Sequence, residues 1–338
     1  MKMATHRGIR RIIHRVLEEL QATARIAKRT SVKGAVTTLL AKVAIQKMNR
    51  NGYQEPPAVR KRLLAKHDVM MDYFEKEFDS FAKDYDYNRP LPEAPPERRN
   101  RVWMCWWQGL ENAPDLVKTC VASVQKNAGN HEVTIITLEN YKEYIDVPGW
   151  LEQKFNSGVI TPTNFSDYLR LSLLAAYGGV WLDATFFCGK PELETYFAYP
   201  IWSIKRPDYL HGSVAGGYFA GYSLGCSYEN RWIFATIRDF FRNYWKENDM
   251  LIDYLLIDYM IVLAQRKDSR IADAFREIIP NNSCCDELIK VLDQPYDEEK
   301  WLEMKQDTAL FKLSWKQSYQ QMKDGQQTFY ARLLEETL

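Results

Sequence analysis

Apolar residues recur every three or four positions through the first 85 residues, which predicts a series of helices. The first apolar face comprises Ile9, Ile12, Ile13, Val16, Leu17, Leu20, Ala24 and Ala27. The second comprises Val36, Leu39, Leu40 and Val43, and the spacing predicts a third helix over 58–81. Four prolines between residues 89 and 99 then interrupt the pattern, because proline removes amide donors and disfavours helix in the preceding residue. We therefore predict a basic helical region and a proline-rich linker over 1–98.

The pattern changes after this linker to alternating strands and helices, which predicts an α/β domain over 99–338. Runs of β-branched and aromatic residues predict strands at 101–107, 131–138 and 180–185. An amphipathic helix is predicted at 113–128. A glycine-rich strand-like segment at 213–223 is followed by predicted helices at about 229–246 and 251–266. The strand, helix, strand order favours a right-handed βαβ unit in a Rossmann-like sheet flanked by helices. Because ligands bind beyond the carboxyl ends of such strands, we expect "WWQG" (106–109) and "DAT" (183–185) to face one crevice.

Charge is distributed unevenly along the chain. Residues 1–50 contain 12 basic and 2 acidic side chains, whereas residues 51–338 contain 33 basic and 42 acidic ones. A basic segment on an acidic body indicates an anionic partner. An anionic membrane surface is one candidate for residues 1–50, and simple packing of the apolar stripe on the domain is the alternative. Nucleic acid is not predicted, because the segment carries no recognised nucleic-acid motif.

Other chemistry is excluded by the residue patterns. The six cysteines include no CxxC pair, and the N-terminus has no apolar segment of a secretory signal, which predicts reduced thiols in the cytoplasm. The five histidines show no metal-ligand spacing, and no Walker A, GxGxxG or GxSxG motif occurs. No apolar run approaches the length of a membrane span.

The stretch "NFSDYLRLSLLAAYGGVWLDAT" (164–185) combines charges with a large apolar surface. Asp167 and Arg170 are three residues apart and share one helical face. A surface ion pair is the simpler explanation, but the surrounding leucines and aromatics predict a buried helix, in which charges need partners or a task. Gly178 and Gly179 predict a left-handed helix end and a tight entry into a strand that delivers Asp183. Such a unit can surround a diphosphate.

This stretch resembles the signature of glycosyltransferases of the GT-A fold that are similar to family 32, and most of all the capsular polysaccharide synthesis proteins. It also resembles the glucosyltransferase domains of large clostridial toxins. The likeness covers about 100–320 and includes "WWQG" (106–109), "LIDYLLIDYM" (251–260) and "KLSWK" (312–316). It implies a GT-A-like mixed sheet and a hexosyltransferase that retains anomeric configuration.

The resemblance also implies roles for individual residues. Asp167 and Arg170 would contact the donor, and Asp183 would match the first aspartate of a DxD motif. Trp107 and Gln108 would lie by the nucleotide. Ser314, Trp315 and Lys316 would close over the diphosphate, and Asp253 and Asp258 are candidates for orienting the acceptor or are simply structural carboxylates.

Thr185 stands where the resemblance leads us to expect the second aspartate of DxD. A threonine hydroxyl is a weaker ligand for a divalent cation than a carboxylate. Two readings follow: Mn²⁺ or Mg²⁺ is held by Asp183 and Thr185 with water, or Lys316 and Arg170 supply the positive charge instead.

The resemblance therefore implies transfer of a sugar from a nucleotide-sugar, with UDP-sugar favoured, to a capsular glycan or its lipid-linked oligosaccharide precursor. The protein would be cytoplasmic, and peripheral at the inner face of the plasma membrane. A catalytically silent nucleotide-sugar- or carbohydrate-binding subunit of an assembly complex is the alternative, motivated by Thr185. A toxin-like transferase acting on host protein is a weaker third hypothesis.

Overall fold

The computed structural model describes residues 17–50, 52–335 and 338. Four positions of the first predicted apolar face, Ile9, Ile12, Ile13 and Val16, lie outside this range. The N-terminal helices are α1 (17–29), α2 (Val32–Arg50), α3 (Pro57–Glu77) and α4 (Asp79–Asp84). They are followed by β1 (Val102–Cys105), α5 (Asp115–Asn127), β2 (Val133–Ile136), α6 (Tyr141–Tyr144), α7 (Gly149–Asn156), α8 (Pro162–Tyr177), β3 (Gly179–Leu182), β4 (Phe186–Cys188), α9 (Leu193–Tyr196), β5 (Ile201–Ser203) and β6 (Ser223–Cys226). The C-terminal part contains α10 (Arg231–Glu247), α11 (Leu256–Lys267), α12 (Ser269–Arg276), α13 (Leu288–Val291), α14 (Glu298–Lys305), β7 (Leu310–Lys312), β8 (Met322–Lys323), β9 (Gln326–Gln327) and α15 (Phe329–Leu334).

Five strands form the central sheet in the order β2-β1-β3-β6-β5. Strand β1 is parallel to β2 and β3, whereas β6 is antiparallel to β3 and β5. The parallel register pairs Cys105 with Ile136 and Trp103 with Trp181, so the carboxyl ends of β1, β2 and β3 lie at one edge. This confirms the predicted α/β class with a mixed sheet, and it brings "WWQG" and "DAT" to the same edge.

Alternate residues of the strands bury opposite faces of the sheet, as the pleat requires. On one face, Trp103 and Trp181 join the large apolar cluster to which α8, α10 and α11 contribute. On the other, Val102, Met104 and Val180 pack in a second cluster that includes residues of α5. The sheet is thus flanked by helices on both faces, and the carboxyl ends of β1, β2 and β3 form one edge between these layers.

The entry into β3 depends on its two glycines. Thr161 caps the start of α8, since its hydroxyl accepts the Asn164 N–H, and Gly178 ends the helix at φ 65°. Gly179 has φ 94°, and a Cβ there would lie 2.2 Å from the carbonyl oxygen of Arg101. Any side chain at residue 179 would therefore clash with backbone, which confirms the predicted tight entry.

The N-terminal helices share the core of the sheet. Ala22, Ile26, Met70 and Phe74 belong to the same apolar cluster as Trp181. Helix α2 packs on α3, but through small residues rather than the predicted apolar stripe. Its buried residues are Gly34, Ala35, Thr38, Ala41, Ala44 and Met48. The predicted stripe is instead exposed, because small side chains let the two helix backbones approach more closely than valine or leucine would.

Two other predicted elements differ from the structure. The glycine-rich segment 213–223 is mostly turns before β6, not strand, because Gly216 and Gly217 have φ values of 54° and 83°. The helix predicted from residue 251 begins only at Leu256. Asp253 lies in the preceding turn, where its carboxylate accepts the Leu255 N–H at 3.1 Å.

Candidate functional site

Asp167, Arg170 and Asp183 meet at the carboxyl edge of the sheet, as the sequence predicts. The guanidinium Nη2 of Arg170 lies 3.2 Å from Asp167 Oδ1 and 3.4 Å from Asp183 Oδ1. The indole N–H of Trp181 donates to the same Asp183 oxygen at 3.1 Å. The helix, the Gly-Gly turn and the strand thus form one compact unit around a guanidinium.

Arg170 is almost fully buried, with 7% of its side chain exposed. Its guanidinium carbon lies 5.1 Å from the centre of the Trp181 ring, and Nη1 donates to the Gly221 carbonyl. These contacts hold the guanidinium plane in one orientation. A buried arginine held in this way is suited to binding an anion in a defined position.

Lys312 is a site residue that the sequence analysis did not single out. The antiparallel pairing of β4 and β7 places Lys312 opposite Phe186, directly after Thr185. Its ammonium Nζ lies 2.6 Å from Thr185 Oγ1 and 3.2 Å from Asp183 Oδ2. The sequence does contain Lys312, in the "KLSWK" segment (312–316), but the resemblance implies a role in diphosphate binding only for the second lysine, Lys316. The long separation from Asp183 concealed the contact, which only the β4–β7 pairing creates.

The three carboxylates of this region differ in their protonation behaviour. Burial raises the pKa of Asp167 to about 7, against the opposing effect of Arg170, and the Asp183 and Asp258 charges add to the rise. Burial likewise raises the pKa of Asp258 to about 6, although its carboxylate accepts a 2.6 Å hydrogen bond from Ser213. Burial would also raise the pKa of Asp183, but Lys312 and Arg170 outweigh it and hold that pKa below its usual value. Asp183 is thus the permanent anion of the site.

The donor set around Thr185 does not fit a divalent cation. A cation bound by Asp183 and Thr185 would occupy the space beside both oxygens that the Lys312 ammonium already contacts, and like charges at such distances repel strongly. Within residues 17–50 and 52–335, no group of three or more His, Cys, Asp or Glu side chains is arranged to hold a metal ion.

Two buried N–H donors near this edge, Arg170 Nε and Trp106 Nε1, lack partners in the described part of the chain. Leaving a buried donor unpaired costs roughly 1–3 kcal/mol, so these two donors need an explanation. A ligand rich in acceptor oxygens, such as a diphosphate or a sugar, would provide one.

Of the remaining predicted site residues, Gln108, Trp315 and Lys316 are exposed, whereas Trp107 packs among aromatic rings. Trp315 is 45% exposed and its ring meets Trp106 edge-on, with ring centres 5.6 Å apart, while Lys316 and Gln108 are exposed. Trp107 turns toward the start of α8, where its indole N–H donates to the Pro162 carbonyl at 3.2 Å. Its ring packs near Tyr141, Phe155 and Phe165. Trp106, rather than Trp107, is the tryptophan of "WWQG" that contacts the C-terminal segment.

The two acidic candidates for acceptor binding have different surroundings. Asp253 forms a buried ion pair with Lys66 of α3, with Nζ 2.7 Å from Oδ2. Asp258 lies near Arg170, whose charge opposes the rise in the Asp258 pKa. Between them, Tyr254 is 69% exposed, yet its pKa is raised by partial burial and by the charges of Asp167 and Asp183. Asp258 and Tyr254 therefore border the site, whereas Asp253 supports it from behind.

Sequence comparison finds a family and one distant relative. The profile of the family described as capsular polysaccharide synthesis protein matches residues 50–333. The O-glycosyltransferase PaGT of Phomopsis amygdali is 29% identical over 99 residues, which is 26% of this chain and 24% of that protein. The chain thus spans about a quarter of the length of this curated relative.

Two solved structures are similar at a low level. The PaToxG glycosyltransferase is 16% identical with a TM-score of 0.33, and the match covers 63% of this chain and 84% of that one. The WbbM bifunctional glycosyltransferase is 10% identical with a TM-score of 0.38, covering 94% and 70%. At these TM-scores the likeness identifies neither a substrate nor a mechanism.

Proposed function

Because the chain belongs to the capsular polysaccharide synthesis protein family, we propose that it is a retaining hexosyltransferase. It would transfer a sugar from a nucleotide-sugar, with UDP-sugar favoured, to a capsular glycan or its lipid-linked oligosaccharide precursor. The family match confirms the resemblance seen in the "SDYLRLSLLAAYGGVWLDAT" stretch (166–185). The donor, the stereochemistry and the acceptor are our proposals.

The observation that carries this proposal is the pairing of two cations with two carboxylates at the edge of the sheet. Arg170 contacts both Asp167 and Asp183, and Lys312 contacts Asp183 from the other side. A nucleotide-sugar presents the complementary groups, because its diphosphate needs cations and its hydroxyls need acceptors. The unpaired Arg170 Nε would then find an acceptor oxygen on the donor.

We assign the diphosphate to Lys312 and Arg170. A lysine ammonium has three N–H donors. Two of those on Lys312 face Thr185 and Asp183, which leaves one for a phosphate oxygen. Charge develops on the diphosphate as the glycosidic bond breaks, and a fixed cation there lowers the barrier. This assignment revises the alternative in which Lys316 supplies the charge, and it takes the place of a Mn²⁺ or Mg²⁺ ion.

We assign the sugar hydroxyls to Asp183 and Asp167, which accept hydrogen bonds when ionised. Retention would follow if the leaving diphosphate takes the proton of the incoming acceptor hydroxyl on the same face of the sugar. Asp258 and Tyr254 would then border the acceptor.

A lipid-linked precursor as acceptor would lie at the membrane, so we propose that the enzyme is cytoplasmic and peripheral at the inner face of the plasma membrane. In the part of the chain that the structure describes, no helix is both long enough and apolar enough to cross a bilayer.

The first test is donor turnover. Purified protein is offered UDP-, GDP- and TDP-sugars, and nucleotide release is followed beside Asp183→Asn and the exposed control Asp72→Asn. We expect release from one donor, a loss of about 10²-fold or more in Asp183→Asn, and no change in Asp72→Asn. Calorimetric binding without turnover, in the presence of the capsular acceptor, would instead support the silent-subunit alternative. Absence of binding would refute the site.

The pH profile tests the role of Asp167. A raised pKa means that its carboxyl is protonated below about 7, and a neutral carboxyl accepts a hydrogen bond from a sugar hydroxyl more weakly than the charged carboxylate does. We therefore expect kcat/KM to rise with pH through about 7 and then to level off. Removing the Asp258 charge should lower the Asp167 pKa, so Asp258→Asn should move this rise to lower pH even if its activity is reduced. A profile that is flat from pH 6 to pH 8 would contradict the assignment.

A further inference from the structure

Helix α2 carries its apolar residues on the side away from the protein. Five large aliphatic side chains, between 39% and 72% exposed, form what we call the α2 outer face: Val32, Val36, Leu39, Leu40 and Val43. At 100° per residue they fall within an arc of about 100°, opposite the buried positions Gly34, Ala35, Thr38, Ala41, Ala44 and Met48. A surface helix normally shows the reverse arrangement.

The α2 outer face is fixed in place, since the opposite side of the helix is packed. Gly34 lies so close to α3 that a Cβ there would be 3.1 Å from Val69 Cγ1. The Lys42–Glu19 ion pair, at 2.8 Å, holds α1 alongside. Leu17 and Leu20 of α1 are also exposed, at 53% and 62%. The exposed leucines and valines are therefore part of the folded surface.

Basic residues flank the α2 outer face at its C-terminal end and along one edge. Helix α2 contains four basic residues and no acidic one. By the helical geometry, Lys47 and Arg50 continue the outer face at its C-terminal end, and Lys33 lies at its edge. All three are exposed. This combination is typical of helices that lie in the interface of an anionic bilayer, with aliphatic side chains among the acyl chains and cations on the phosphates.

We propose that the α2 outer face docks the protein on an anionic lipid bilayer. Charge favours a bilayer over a second copy of the chain as the partner. Two α2 helices packed face to face would place the cations Lys33, Lys47 and Arg50 of one copy near the same cations of the other, and like charges repel. The inference is independent of the sugar-transfer chemistry, since none of these residues contacts the candidate site. It assigns side chains of the folded domain to membrane binding, in addition to whatever residues 1–16 contribute.

Vesicle co-sedimentation of the full chain tests this proposal. The vesicles are phosphatidylglycerol with phosphatidylethanolamine, compared with phosphatidylcholine alone. The variant is Val36→Gln/Leu40→Gln/Val43→Gln. The matched control removes three exposed apolar residues elsewhere, Leu138→Gln/Ile279→Gln/Leu302→Gln, which are 49–56% exposed. We expect the parent and the control to prefer anionic vesicles, and the α2 variant to bind them at least about tenfold more weakly.

Two further readouts separate the outcomes. Circular dichroism and nucleotide release in the absence of vesicles should be unchanged in the α2 variant, which shows that the fold and the donor site are intact. Equal vesicle binding by parent and variant would overturn the proposal, and so would equal binding of the parent to neutral vesicles. A parent that is dimeric in solution, and becomes monomeric in the variant, would show that the occupant is a second copy.

Discussion

Lys312→Met should lower kcat by about 10²–10³-fold, whereas Lys316→Met should have a much smaller effect. The reason is position: the Lys312 ammonium is fixed against Thr185 and Asp183, at 2.6 and 3.2 Å, whereas Lys316 is exposed. Preorganised charge at the leaving group stabilises the transition state without a cost of reorganisation. Nucleotide release and glycan transfer are measured at saturating donor.

The same experiment tests the absence of a metal requirement. EDTA should leave the activity of the parent protein unchanged, because Lys312 occupies the position that a cation between Asp183 and Thr185 would take. Lys312→Arg should retain part of the activity, since it keeps the charge but not the compact ammonium. Loss of parental activity in EDTA, with recovery in Mn²⁺ and an unimpaired Lys312→Met, would show that Asp183 and Thr185 bind a metal after all.

The second large effect is expected on stability. Lys66→Met should reduce the free energy of unfolding by about 3–5 kcal/mol, because it leaves the Asp253 carboxylate buried without its partner. The two side chains of this pair are only 2% and 4% exposed. Although burial would raise the pKa of Asp253, Lys66 and Lys42 hold it below its usual value, so this carboxylate is charged in the folded protein. Urea unfolding followed by circular dichroism measures the change.

A double variant and a control on the same helix identify the cause. Lys66→Met/Asp253→Asn should recover most of the loss, because asparagine removes the unpaired charge and can still accept the Leu255 N–H. Lys76→Met removes an exposed pair with Asp72, at 2.7 Å, and should change the stability by less than about 1 kcal/mol. If Lys66→Met lowered the free energy of unfolding by as little as Lys76→Met does, the buried pair would not stabilise the fold.

This ion pair also connects the N-terminal helices to the site. Asp253 precedes Tyr254, whose phenol lies within the electrostatic reach of Asp167 and Asp183. His67, next to Lys66, contacts the Tyr259 hydroxyl at 2.8 Å, and burial lowers its pKa to about 4. Helix α3 therefore packs behind the turn that precedes α11 and supports it. The family match begins at residue 50, so it includes this helix.

The sequence by itself determined the elements and the central group of the site. Residue composition and apolar spacing are local, so they predict β1, α5, β2, α8 and β3, and the parallel order of the three strands brings their carboxyl ends together. Asp167, Arg170 and Asp183 were predicted as neighbours because one helix turn and one Gly-Gly turn fix their separation. These contacts span at most 16 residues, a range over which backbone geometry alone limits where side chains can lie.

Tertiary structure decided what depends on distant segments. Lys312 reaches Asp183 only because β4 pairs with β7, and Asp253 is a structural anion only because Lys66 arrives from α3. The sequence also could not show which face of α2 points outward. The apolar period indicates that the helix has two faces, but not which of them is buried. Close backbone packing selected the small-residue face for burial, and that choice left Val36, Leu40 and Val43 on the surface.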